Sequence, residues 1–164
     1  MKVLGIDPGT ITMGYGMVEN ISEELTTCFH GSLSAKRADP IEERLASLYC
    51  GILAIIDNHG PEVIAIEEPF VARNPKTAIA VGQAQAVALI AASSRKIPVS
   101  RYSPRQIKKS VTDHGGSSKA QVQEMVSVLL GLDTSPRSSD AADALAVAIC
   151  HANASRTQDL VMHE

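Results

Sequence analysis

Short apolar runs closed by a carboxylate punctuate this chain. Val3, Leu4 and Ile6 have no polar face between them, the pattern of a strand buried on both sides. Asp7 ends that run, and Pro8-Gly9 turn the backbone. Val63-Ile64-Ala65-Ile66 repeats the pattern and ends at Glu67. Between them lie two more strands, over 12–18 and 24–34, with a short link at 20–23 that suits a hairpin. Glycines at 14 and 16 in the first of these point to close backbone approach or a strong twist. A helix follows, with Asp39 as N-cap, Pro40 at its first position and Ile41, Leu45, Leu48, Ile52 and Ile55/Ile56 as its apolar stripe; Gly60-Pro61 stop it.

Downstream of Glu67 the pattern predicts a loop over 68–75, then a long Ala-rich helix over 76–93. Its small residues allow close packing on a sheet or on a second copy. Residues 97–100 form a fifth strand, Ser103-Pro104 cap a short basic helix to about Val111, and 113–117 form a loop. Ser118 and Gln121 have capping-box spacing ahead of a helix that Gly131 ends. Ser138 or Ser139 caps a last helix through Cys150, and 153–164 read as a loose tail.

Three successive strands imply an antiparallel meander. A strand, a helix and another buried strand imply a parallel crossover. The expected fold is α/β: a five-stranded mixed sheet flanked by helices, with residues 1–152 as one domain. The crossover puts Asp7 and Glu67 side by side at the carboxyl edge of the sheet, where open α/β sheets bind ligands. Asp140 and Asp143 are three residues apart and so share a helical face. Each acid also has a plainer role, Asp7 capping its turn and the helical pair capping their helix. Four carboxylates in one place repel one another, however, and such a cluster needs cations. Hard oxygen ligands favour Mg²⁺ or Mn²⁺. Two such ions about 3.5–4 Å apart form the clamp used for in-line phosphoryl displacement.

The composition adjusts this picture. The chain has 164 residues, 45% hydrophobic and only 3% aromatic, so its core is aliphatic. No apolar stretch reaches the roughly 18 residues of a membrane span. Cys28, Cys50 and Cys150 lack zinc spacing and read as reduced thiols of a cytoplasmic protein. The net charge is −3, but residues 71–120 hold nine Lys/Arg against Asp113 alone, which leaves the remainder strongly acidic. A basic middle third in an acidic chain is a surface for phosphates. Acids and basic segment together read as a metal-dependent nuclease.

GIDPGT at 5–10, AIEEPF at 65–70, VGQAQAVALIAA at 81–92, RYSPRQIKKSV at 101–111 and SDAADALAVAICHA at 139–152 resemble the RuvC family of bacterial Holliday-junction resolvases. That family lies within the RNase H-like superfamily, and the likeness spans residues 1 to about 152. The resemblance implies a crossover junction endodeoxyribonuclease that nicks two opposed strands of a four-way junction symmetrically, leaving 5′-phosphate and 3′-hydroxyl ends. It implies catalytic, metal-binding roles for Asp7, Glu67, Asp140 and Asp143, with two Mg²⁺ per subunit and Mn²⁺ as a substitute. Position 140 is His in some members and Asp here. Asp7 would bridge both ions, Glu67 serve one and the helical pair the other. DNA contacts would come from Phe70, which stacks on an unpaired base, and from Arg73, Lys76, Arg105, Lys108 and Lys119. Partners would be junction DNA, a second copy of the chain in a homodimer, and the branch-migration complex of RuvA and RuvB, with no membrane. Two other readings compete. One is a single-lobe ATP-binding module of the actin or sugar-kinase type, which shares the Asp-x-Gly-Thr loop but needs two lobes. The other is a related RNase H-like nuclease with another nucleic-acid substrate.

Overall fold

The computed structural model describes residues 1–22, 24–68 and 75–162, without the side chains of 157–162. Five strands and five helices follow in the order β1 (Lys2–Asp7), β2 (Thr12–Ile21), β3 (Glu24–Ser34), α1 (Ile41–His59), β4 (Val63–Glu67), α2 (Pro75–Ser94), β5 (Val99–Tyr102), α3 (Pro104–Thr112), α4 (Lys119–Leu129) and α5 (Ser139–Met162). The sheet order is β3-β2-β1-β4-β5. β1 pairs antiparallel with β2, and β2 with β3; β1, β4 and β5 run parallel. This is the expected mixed sheet of an RNase H-like fold.

Side chains alternate across a strand, and here the alternation sorts β1 and β4 between two cores. Leu4, Ile6, Ile64 and Ile66 pack with Leu48, Ile52, Ala88 and Ala91 of α1 and α2. Val3, Val63 and Ala65 pack on the other side, with Ile107, Val122, Val126 and the buried length of α5. Asp7 and Glu67 are in step with Val3 and Val63, so period two directs them to the α5 side.

α5 lies unusually close to the sheet. An added Cβ at Gly5 would collide with the carbonyl oxygen of Ala144, and one at Gly14 with that of Asp140. Ala141, Ala144 and Ala148 are buried at this contact. Glycine on the strands and alanine on the helix let backbone meet backbone. The contact at Gly14 fixes the first turn of α5 at the edge of the sheet.

Both capping boxes form. Ser103 accepts from the Gln106 backbone N–H and Ser118 from that of Gln121, and each Gln side chain reaches back to the cap's own N–H. Three details differ from expectation. The N-cap of α1 is Pro40, not Asp39, and makes no side-chain cap bond. The Pro40 carbonyl accepts from Arg44, and Glu42 and Glu43 face the positive end of the helix. Residues 153–162, expected as a loose tail, continue α5. No Gly or Pro interrupts that stretch, and Asn153 donates to the backbone and hydroxyl of Ser110 on α3. Finally, α2 is long and apolar enough, by length and composition alone, to cross a membrane, with a mean hydropathy of 1.3. Its scattered Gln and Lys residues count for little among so many Ala, Val and Ile. Ala84, Ala88, Ala91 and Ala92 of α2 are fully buried in the core that it shares with α1.

Candidate active site

The site is assembled at the carboxyl edge of the parallel strands. Ile6 pairs with Ile66 in the parallel register, so Asp7 and Glu67 are next in line on adjacent strands. Beyond Glu67 the chain is held on two sides. The Glu68 N–H donates to the Tyr102 carbonyl at 2.8 Å. Gln85 of α2 donates its amide to the Glu67 carbonyl at 3.4 Å. Asp140 and Asp143 enter from α5, whose cap is Ser138: its Oγ accepts from the Ala141 N–H.

The four carboxylates share one electrostatic environment. Burial, and then the charges of Glu67, Asp143 and Asp140, push the Asp7 carboxyl up to about 8; Lys119 opposes them. At neutral pH in this state Asp7 therefore keeps its proton. Glu67 is also raised, first by burial and then by Asp143, against the pull of Lys119, a hydrogen bond with Asp7 and the charge of Lys108. Such shifts mark a surplus of negative charge in a poorly solvated place. Lys119 meets part of that surplus: its Nζ lies 2.5 Å from Asp143 Oδ2. This bond is the main reason that its ammonium is held above the usual lysine range.

A cleft of about 240 Å³ opens here, lined by Glu67, Asp143, Lys108 and Lys119 and floored by Pro104, Ile107, Val122 and Ala146. The structure thus gathers the four acids with Lys108 and Lys119. It places Arg105 elsewhere, on the exposed side of α3 with its stem against Gly115. Lys76 lies in the first turn of α2. Phe70 and Arg73 fall outside the described residues.

Two features were not assigned from sequence. One is the apolar floor of the cleft, whose members look like ordinary core positions of α3, α4 and α5. The other is His151. It is buried, its Nδ1 lies 2.8 Å from the Tyr102 hydroxyl and its Nε2 3.3 Å from Ser155 Oγ. Burial lowers its pKa, so it is a neutral ring that ties α5 to β5. Tyr102 accordingly supports the sheet edge, as its position at the end of β5 suggests. Cys150 is buried beside it, and burial pushes its thiol up to about 11, which makes it a packing residue.

The family model described as "Crossover junction endodeoxyribonuclease RuvC" matches residues 3–151. The chain belongs to the RuvC family. A RuvC of that description from Dehalococcoides mccartyi is 50% identical over 151 residues, which are 92% of this chain and 90% of its own. The solved structure of Thermus thermophilus RuvC superposes with a TM-score of 0.89 at 34% identity, covering 96% of this chain and 97% of that one. A second structure, T. thermophilus RuvC in complex with Holliday junction substrate, gives 0.87 at 33% identity, with 96% of both chains covered. The RuvC match takes in both strand-end acids, the α3–α4 cleft and the first turn of α5.

Proposed function

We propose that this chain resolves four-way (Holliday) DNA junctions as a crossover junction endodeoxyribonuclease, with Asp7, Glu67, Asp140 and Asp143 as its catalytic acids. One observation carries this reading. Acids from three separate segments meet beside two lysines at the sheet edge, in a chain that aligns with RuvC over nearly its whole length. That same alignment disfavours a single-lobe ATP-binding module and an RNase H-like nuclease of other specificity.

The donor set fits divalent metal. All four side chains are hard oxygen ligands, suited to Mg²⁺, with Mn²⁺ as a substitute. The raised Asp7 carboxyl and the Lys119 ammonium paired with Asp143 mark a cluster whose negative charge suits cations. Among the described residues no three His, Cys, Asp or Glu side chains are arranged, as they stand, to hold one ion; loading requires the carboxylates to reorient. Two ions per subunit would supply an activated water and a charge partner for the leaving oxygen, so that hydrolysis leaves 5′-phosphate and 3′-hydroxyl ends. Asp7, whose carboxyl feels the charges of Glu67, Asp143 and Asp140, would serve both. Lys108 and Lys119 face the same cleft and would hold the scissile phosphate. Arg105 and Lys76 would follow the backbone farther out, and Arg73 and Phe70 would act from the loop that leaves Glu67.

Paired symmetric nicks call for two copies of the chain, related by the same two-fold symmetry as the junction. We further propose a cytoplasmic enzyme without membrane attachment that acts with RuvA and RuvB, in which a single resolvase domain includes α5.

The direct test is incubation of the purified protein with a synthetic four-way junction and with linear duplex of the same sequence. Paired nicks in the junction, dependent on Mg²⁺ and absent in chelator, are expected, with the duplex largely intact. Equal cutting of both substrates would rule out junction selectivity. Lys108→Ala should lower cleavage about 10–100-fold, since a charge beside the reacting phosphate stabilises charge that builds in the transition state. Junction binding, followed by gel shift, should weaken steeply between 50 and 200 mM salt, with a log–log slope of about −0.9 per phosphate contacted.

A further inference from the structure

We propose that Lys119 is a resident counter-ion that occupies Asp143 until divalent metal loads, and is then released to the DNA phosphate. The inference rests on the metal-binding reading given above. The contact itself is unusual. Lys119 opens α4, where the helix field disfavours a cation, and Ser118 and Gln121 complete the cap without it. Its side chain is 59% exposed, whereas that of Asp143 is only 20% exposed. The lysine therefore reaches inward from an open position to meet a carboxylate in the cleft. An ammonium and a divalent ion on one carboxylate repel each other at close range. Lys119 on Asp143 Oδ2 therefore weakens metal there, and metal at Asp143 favours release of Lys119.

The exchange couples the two ligands. Once free of Asp143, the Lys119 ammonium remains in a cleft that also contains Lys108. A phosphate bound there would draw Lys119 off the acid and leave Asp143 open to metal. By reciprocity, metal at Asp143 would supply a cation for the phosphate. The protein alone would thus load metal weakly and the protein with substrate more strongly. The device delays assembly of a competent site until there is something to cut.

Mn²⁺ binding to the full-length protein in the absence of DNA tests this, by calorimetric titration and by the Mn²⁺ concentration at which the melting temperature rises. Lys119→Met should bind Mn²⁺ about three- to tenfold more tightly than wild type, the gain from removing a partly exposed ion pair that opposes metal. Lys119→Arg, which keeps the charge and the reach, should stay near wild type. Lys108→Met serves as the control for field alone, because Lys108 acts on Glu67 through its charge; its gain should be clearly smaller. Unchanged or weaker Mn²⁺ binding in Lys119→Met would overturn the proposal, and so would an equal gain in Lys108→Met. Asp7→Asn separates this failure from that of the parent reading. If Asp7→Asn abolishes Mn²⁺ binding while Lys119→Met leaves it unchanged, only the counter-ion role falls. If Asp7→Asn leaves Mn²⁺ binding intact, the acids are not the metal site and both fall.

Discussion

Asp7→Asn abolishes junction cleavage, leaves junction binding in place and makes the metal-free protein more stable than wild type. The first effect follows from the proposed role of Asp7 as a charged ligand shared by two metal ions. Metal ions contribute several kcal/mol of transition-state stabilisation, so cleavage should fall by about 10²–10⁴-fold. Binding survives because the lysines proposed to hold the phosphates are untouched and Asn keeps the shape of Asp. The gain in stability is the less obvious result. Asp7 ionises near 3.8 in an open chain but only at about 8 in the fold. The folded state therefore holds a proton that the unfolded state releases. Stability that depends on this proton is complete below the unfolded value and is lost as pH rises from about 4 towards 8. Asn carries no proton to lose, and its amide can still donate to Glu67. The full displacement would correspond to more than 5 kcal/mol, but Asp7 is only partly buried and relaxation of the edge offsets much of it. We expect a gain of about 2 kcal/mol at pH 7.5, or about 4–8 °C in melting temperature for a chain of this size. Melting curves in chelator at pH 5 and pH 7.5 check the sign: the advantage of Asp7→Asn should be small at the lower pH and larger at the higher. A variant that melts below wild type at both would show that the acids do not repel one another.

The contest between charge and fold at this site explains what could be read from the sequence. The runs Val3–Asp7 and Val63–Glu67 announce two buried strands with acids at their tips, and the helix between them makes them parallel neighbours. Local rules suffice there: a periodicity, a cap at Ser103 or Ser118, a Gly-Pro stop at 60–61. They fail where neighbouring residues decide the outcome. Asp39 has the chemistry of an N-cap, yet the turn begins one residue later at Pro40. The fading apolar pattern after His151 says nothing of Asn153, which finds Ser110 on α3 and carries α5 onward. Lys119 is given a DNA contact by resemblance alone, and its partner Asp143 is far away in sequence, so nothing local points to their pairing. Gly14 and Gly16 mark a close approach, but only the fold tells what approaches them. For Gly14 it is the turn of α5 that carries two of the four acids.

That last contact yields the second large effect. Gly14→Ala should cut cleavage by about 10²-fold or more while costing only modest stability; Gly5→Ala should do the reverse. Both substitutions drive a methyl group into helix backbone, not into a flexible side chain, so neither can be relieved by a rotamer change. They strike α5 at different places. Gly5 faces Ala144 and Ala148, in the part of the helix that is buried along most of its surface. Moving that segment opens the core around it, at a cost of about 3 kcal/mol or more. Gly14 faces the carbonyl of Asp140, at the very start of the helix. The first turn carries the buried Ala141 and Ala142 but is the free end of the helix, so it can tilt away at a smaller cost, about 1–2 kcal/mol. The tilt moves Asp140 and Asp143 away from Asp7 and Glu67, and a displacement of about 1 Å in reacting groups can cost about 10²-fold in rate. Gly82→Ala supplies the reference, because a methyl group there meets nothing within 4 Å and removes a glycine from a helix interior. It should be neutral or stabilising by up to about 1 kcal/mol. Melting temperature and junction cleavage measured on the three variants resolve the matter. Full activity in a folded Gly14→Ala would mean that the pitch of α5 against β2 does not set the spacing of the acids.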